Sequence, residues 1–362
     1  MALVDVSYSQ VAKEILNTGR WYKDESREDT FRLQIPSYTF RHDFMKGGFP
    51  ALNLRELKWN SVITELIWFL RGDTNIKYLV DNKNPIWNKD AYNWYKKVCK
   101  ESGLYEITFK DFVRAIKAGE TMESLVGVHG GMPDSKFNYK LGDVGKNYSR
   151  QWRSYAGRVD QIVDLIKNMR SNIMSTRLKV EAWNPAEVKD TALPPCHTGF
   201  QIVGIPLTKE EMIEISGYTE EQWAEIINQD LEMEALDHMT SYGFELHWNQ
   251  RSVDTYLGLP FNIASYAALS KFLQALTKHT ALGINGDLKC VHLYDNSIDA
   301  TKEIVKRDWN SKACDIHINL PDNYEKLSFD ELMSKMEAKD FQLVDYSHQG
   351  ALSVEMKAPK EV

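Results

Sequence analysis

Leu193-Pro194-Pro195-Cys196-His197-Thr198-Gly199-Phe200-Gln201 sets a thiol beside an imidazole immediately after two prolines. The prolines remove two backbone donors and fix two φ angles, so they predict a rigid turn that delivers Cys196 into the strand-like run Phe200-Gln201-Ile202-Val203. Cys196 is the candidate nucleophile. An ordinary thiol is mostly protonated near neutrality, so this role needs a cation or hydrogen-bond donors brought to it by the fold. A buried structural cysteine behind a proline turn fits the same nine residues. The rest of the chain has to choose between the two.

Downstream, Leu207 to Thr240 is polar with helical spacing over 210–215 and 220–227, and Tyr242 to Trp248 resumes the alternation of a strand. Strand, helical excursion and strand predict a hairpin whose tip carries an insertion at about 207–240. Upstream, Arg177 to Ala182 alternates as a strand and Val159 to Met169 is an amphipathic helix. Tyr8 to Thr18 predicts another helix, and Thr30 to Arg41 reads as extended. Residues 95–143, with glycines between positions 126 and 131 and no core-like periodicity, form a second predicted insertion. Ser61 to Arg71 is apolar almost all round and predicts a buried helix with one carboxylate, Glu65, inside it. Such a carboxylate is costly without a partner or a task, although a solvated helix face is the alternative.

Gln250 to Ala267 is the second chemical cluster. Arg251 and Ser252 suit a phosphate monoester, because guanidinium offers a forked pair of donors and the hydroxyl a third. Asn262 both donates and accepts, which suits an amide-like edge such as uracil's. A solvated turn with a capping asparagine is the competing reading.

Composition narrows the classes. The 362 residues, 43% of them hydrophobic, can build a sizeable core. A net charge of -7 with scattered Lys and Arg gives no footprint for nucleic acid. The N-terminal residues show no leader pattern and no apolar segment approaches the length of a membrane span, so a cytoplasmic protein without membrane contact is expected. Cys99, Cys196, Cys290 and Cys314 lie far apart, which argues against a metal site and a disulfide framework.

Together these segments resemble the thymidylate synthase family. Leu193 to Gln201 is similar to its nucleophile motif, Arg251 to Ala267 to its most distinctive run, and Glu65 to Asn75 to its early helix motif. Gln151-Trp152-Arg153, Ala182 to Glu187 and His292-Leu293-Tyr294 follow in family order. The resemblance implies an α/β (α+β) fold, a large mixed sheet flanked by helices, as one catalytic domain over 1–362 carrying the two insertions. It also implies a homodimer with shared active sites.

The chemistry it implies is attack by Cys196 on carbon 6 of dUMP, after which carbon 5 takes a one-carbon unit from 5,10-methylenetetrahydrofolate. Arg27, Arg177, Arg251 and Ser252 are then the phosphate ligands, Arg177 reaching across from a second subunit. Gln250 and Asn262 orient the base, and His292 and Tyr294 meet the ribose. Glu65, Tyr148 and His197 handle protons through ordered water. Trp87 stacks on the pterin, Asp254 hydrogen-bonds it, and Arg55 meets the folate's glutamate tail. Asn262, where related dCMP enzymes carry aspartate, predicts dUMP as the substrate.

The chain also departs from the family pattern. Thr176-Arg177 stands where two adjacent arginines are usual, and Asp90 aligns with a second tryptophan. A glycine-rich turn before His292 is shortened to a loop at 286–291, and the closing segment Tyr346 to Gly350 is followed by a longer tail. Closure decides the product. If water is excluded, hydride from tetrahydrofolate yields dTMP and dihydrofolate; if not, water yields 5-hydroxymethyl-dUMP and tetrahydrofolate, as relatives of viral type do. An inactive nucleotide-binding scaffold is the reading from another class.

Overall fold

The computed structural model describes residues 3–24, 29–122, 124, 139–229, 231–237, 239–308 and 312–354. Its main sheet contains β1 (Arg20–Lys23), β2 (Phe31–Asp43), β3 (Lys179–Glu181), β4 (His197–Pro206), β5 (Tyr242–Gln250), β6 (Val253–Asp254) and β7 (Thr280–Tyr294). The order is β1-β2-β7-β5-β4-β3, with β6 also pairing β7. Only β5 and β6 run parallel to β7; the other pairs are antiparallel, so the sheet is mixed. A small sheet joins β8 (Asp315–Ile318) to β9 (Phe341–Val344).

A parallel connection needs a crossover element. Here it is the helix Leu259–Thr277, started by Pro260 in its first turn and buried on nearly every side. It packs against β7 and against the helix Trp59–Leu70. That second helix buries Val62, Ile63, Leu66, Ile67, Phe69 and Leu70. The sheet's helix-facing side is dry: Phe200, Ile202, Phe244, Leu246 and Trp248 are buried. Its opposite face alternates to half-exposed Gln201, Glu245 and His247 and exposed Val203, the pattern of a sheet covered on one side. Gly286 is compulsory for this packing, because a Cβ there would collide with the Trp248 indole.

Several boundaries differ from the sequence reading. The first helix is Leu3–Thr18, because Val4, Tyr8, Val11, Ala12 and Ile15 form one buried stripe that begins before Tyr8. Asp5 lies within that stripe, accepting the Asn53 N–H at 2.9 Å. The helix expected from Val159 is Gln161–Ser171; Asp160 caps it and Val159 bridges Tyr155 instead.

The tip expected at 207–240 is an excursion from one hairpin, since β4 and β5 pair from His197↔Gln250 to Pro206↔Tyr242. It holds helices Lys209–Ser216, Glu220–Asn228 and Glu232–Asp237, the first two started by capping boxes at Thr208 and Thr219. Trp223 is its one buried side chain among the described residues.

The expectation that 95–143 lacks core periodicity is corrected. Helix Asn88–Ser102 buries Ala91, Tyr95 and Cys99 at successive turns, and helix Phe109–Ala118 buries Phe112, Ala115 and Ile116. Lysine-rich outer faces hide stripes this narrow in the sequence. The glycines expected between 126 and 131 lie outside the described residues. The loop expected at 286–291 is also corrected: β7 runs unbroken to Tyr294. Its irregularity is local. Cys290 takes φ +46°, and it lies at the step where the β2 register passes over Pro36, which has no N–H to give.

Candidate active site

Four segments meet at a cleft of about 400 Å³ between the Trp59–Leu70 helix, the nucleophile turn, the end of β5 and the start of the Leu259–Thr277 helix. Ten of the expected site residues line it: Cys196, Glu65, Tyr148, His197, Asn262, Trp87, Gln250, Ser252, Asp254 and Tyr294.

Cys196 sits at the mouth of β4, where a register shift between His197 and Gly199 bends the strand. The turn is clamped from β5. Arg251 donates its backbone N–H to the Cys196 carbonyl (2.8 Å), Nε to Pro195 (2.8 Å) and Nη2 to Pro194 (3.0 Å). Its guanidinium lies over the Trp183 ring at 5.3 Å. Proline carbonyls are free to accept because no helix or ladder claims them.

The Cys196 N–H donates to the Tyr148 phenolic oxygen at 2.6 Å. Tyr148 begins a short helix capped by Asn147, and its ring stacks on His197 with centroids 4.1 Å apart. Burial drives the phenol well above its ordinary range, so Tyr148 stays protonated. His197 meets the Tyr266 hydroxyl through Nδ1 at 2.8 Å. Burial lowers its imidazole to about 3, so it is neutral at physiological pH.

Glu65 is partly exposed to the cleft, yet dense surroundings raise its carboxyl to about 7. Burial is the main cause, opposed by the Trp87 indole N–H, which donates to Oε1 at 2.7 Å. A carboxyl poised near neutrality exchanges protons in either direction. On the far wall Gln250 Nε2 donates to the Asn262 Oδ1 (3.0 Å) and to the Ser252 carbonyl (3.1 Å), while its own Oε1 accepts from Trp248 (3.2 Å). Asn262 therefore arrives with its amide orientation set by a neighbour.

The family model described as thymidylate synthase matches residues 6–358. The chain belongs to the thymidylate synthase family. Curated relatives agree. The thymidylate synthase of Malacoplasma penetrans is 34% identical over 83% of this chain and 85% of its own. That of Mesoplasma florum is 31% identical over 90% and 93%, and that of Mycoplasma pneumoniae 30% over 96% and 98%. Membership makes this a methyltransferase-type enzyme.

Among the described residues, four of the expected ones do not line the cleft. Arg55 is buried, donates to the Tyr256 carbonyl at 2.5 Å and lies 4.9 Å from that ring. His292 is 2% exposed behind Tyr294, with ring centroids 4.9 Å apart; its Nδ1 bonds the Cys290 carbonyl (2.7 Å), and its buried Nε2 has no partner among the described residues. Arg251 acts on the turn from outside the lining. Arg177 is exposed just before β3. Arg27 lies outside the described residues.

Asp90 lines the cleft where the family's second tryptophan is usual. The described part of the tail, up to Val354, bonds to several segments of the chain. Tyr346 bridges Leu57 N–H and the Leu52 carbonyl (both 2.9 Å), Gln349 N–H donates to Asn53 (2.9 Å), and Tyr256 donates to Leu352 (2.8 Å). Sequence reasoning missed Tyr266. Its signal was available: it falls four residues after Asn262, on the same helix face.

Proposed function

We propose that this enzyme converts dUMP to dTMP through a covalent Cys196 adduct, with 5,10-methylenetetrahydrofolate giving both the one-carbon unit and the hydride. The observation that carries the proposal is the convergence in one cleft of Cys196 on its Arg251-clamped turn, the Glu65–Trp87 pair and the Gln250–Asn262 pair. Sulfur adds to carbon 6, carbon 5 becomes the nucleophile, and the sulfur leaves after transfer. Glu65, Tyr148 and His197 serve the proton movements through ordered water. Arg27, Arg177, Arg251 and Ser252 are assigned to the phosphate, and Tyr294, backed by His292, to the ribose.

The folate's flat pterin fits the wall of Ile86, Trp87, Leu257 and Phe261, with Asp254 as its acceptor. Asp254 is already steady, because its Oδ1 accepts the Tyr256 and Leu257 N–H groups at 3.0 Å each. The curated relatives carry the name of the reductive enzyme, which supports dTMP as the product. Incubating the protein with dUMP and the folate tests this directly. Absorbance growth from dihydrofolate with stoichiometric dTMP is expected; a hydroxymethyl nucleotide without dihydrofolate overturns the product.

Base choice rests on Asn262, which offers a donor and an acceptor to uracil's edge. Asn262→Asp is expected to move the dUMP-to-dCMP ratio of kcat/KM toward dCMP by roughly 10²-fold or more. A native enzyme already faster on dCMP rejects the assignment.

We further propose that residues 1–362 work as one catalytic domain in a homodimer, each site completed by Arg177 of the other subunit. The half-open face of the sheet and exposed Val203 and Met174 support this, as does the position of Arg177 outside its own cleft lining. Mixed Cys196→Ser and Arg177→Ala subunits are expected to regain roughly a quarter of native turnover, from one intact site per heterodimer. Activity no higher than that of either variant alone counts against shared sites.

A further inference from the structure

We propose that Tyr266 is a positioning residue that sets the tautomer of His197: its hydroxyl donates to Nδ1, so the neutral imidazole presents an Nε2–H donor to the cleft. The inference rests on the proposed reaction for its chemical purpose, although its structural half stands alone.

The two side chains are 2.8 Å apart through the Tyr266 oxygen and Nδ1. Neither can swing away. Tyr266 lies flat on Trp248, with centroids 5.3 Å apart and planes 15° apart, and Trp248 occupies the space that Gly286 leaves open. His197 is stacked on Tyr148 and meets Tyr266 edge-on at 5.4 Å.

Proton counting selects the tautomer. Among the described residues the Tyr266 hydroxyl makes no other hydrogen bond. If Nδ1 kept the proton and donated to the phenolic oxygen, the O–H would be buried with nothing to accept it. With the phenol as donor both groups are satisfied, and the remaining ring proton belongs to Nε2. That nitrogen lies on the opposite edge of a ring that lines the cleft. Burial keeps the imidazole neutral, so Nε2–H is a donor that does not surrender its proton. Such a donor suits a substrate oxygen that gains negative charge when a thiolate adds to the ring, directly or through a water.

The test is the tautomer itself. Long-range ¹H–¹⁵N spectra of the free protein, with His197→Asn supplying the assignment, should show a protonated Nε2 and an unprotonated Nδ1. Tyr266→Phe keeps the ring and its stack while removing the O–H. The His197 nitrogens should then move toward the averaged values of two exchanging tautomers, with kcat down about tenfold and KM for dUMP within about twofold. A protonated Nδ1 in the native protein overturns the proposal, whether or not the variant folds. So does a native nitrogen pattern retained in Tyr266→Phe. Because the spectra need no substrate, failure of the dUMP reaction registers separately from failure of the tautomer.

Discussion

Cys196→Ser is expected to abolish turnover, lowering kcat by roughly 10⁴-fold or more. The substitution changes one atom and keeps the turn, because the clamp from Arg251 is made to the Pro194, Pro195 and Cys196 carbonyls and not to the sulfur. A serine hydroxyl remains almost entirely protonated where a thiol ionises, so nucleophilic addition fails at its first step. Nucleotide binding should survive. With 5-fluoro-dUMP and the folate, mass spectrometry of the native protein should show an adduct that persists through denaturation, and the variant should show none. An adduct on another residue, or native-level turnover in the variant, would remove Cys196 from the chemistry.

Glu65→Gln carries the second large effect. Loss of a positioned proton-transfer group should reduce kcat by about 10³-fold, and the inflection near the Glu65 pKa should vanish from the pH profile of the residual activity. Stability should move the opposite way with pH. Folding raises the Glu65 pKa from 4.5 to about 7, so the folded state holds its proton more tightly than the unfolded chain. Its contribution is fully present below the unfolded value and is lost as pH rises through about 7, a loss of roughly 3 kcal/mol. The amide does not ionise, so the variant should gain on the native protein between about pH 5 and about pH 8 in urea midpoints. Parallel pH dependences for the two proteins would show that the Glu65 carboxyl is not perturbed.

Legibility followed chemistry more closely than geometry. Cys196, Glu65 and Asn262 could be chosen as candidates because a thiol after two prolines, a carboxylate inside an apolar helix and an amide beside Arg251-Ser252 are each unusual for their local setting. Tyr266 offered only its spacing from Asn262: a tyrosine in an apolar helix is otherwise unremarkable until His197 is placed against it. Arg55 shows what charge alone leaves out. It reads as a ligand partner in one dimension, and the fold adds contacts from its guanidinium to the Tyr256 carbonyl and ring. The buried stripes of Tyr95, Cys99 and Phe112 were obscured because three apolar positions per helix are diluted by the charged residues around them.

The amino-acid order alone determined the family and, through that resemblance, the mixed fold, and it marked the hairpin with its enlarged tip and the candidate nucleophile, because turn chemistry, periodicity and rare side-chain combinations are local properties. Tertiary structure decided what each group is able to do there. Residues 131 positions apart were brought together as Glu65 and Cys196 in one cleft. Protonation states, the Trp87 and Tyr266 hydrogen bonds and the inward turn of Arg55 depend on which atoms exclude water from which others, and that is settled only when distant segments pack.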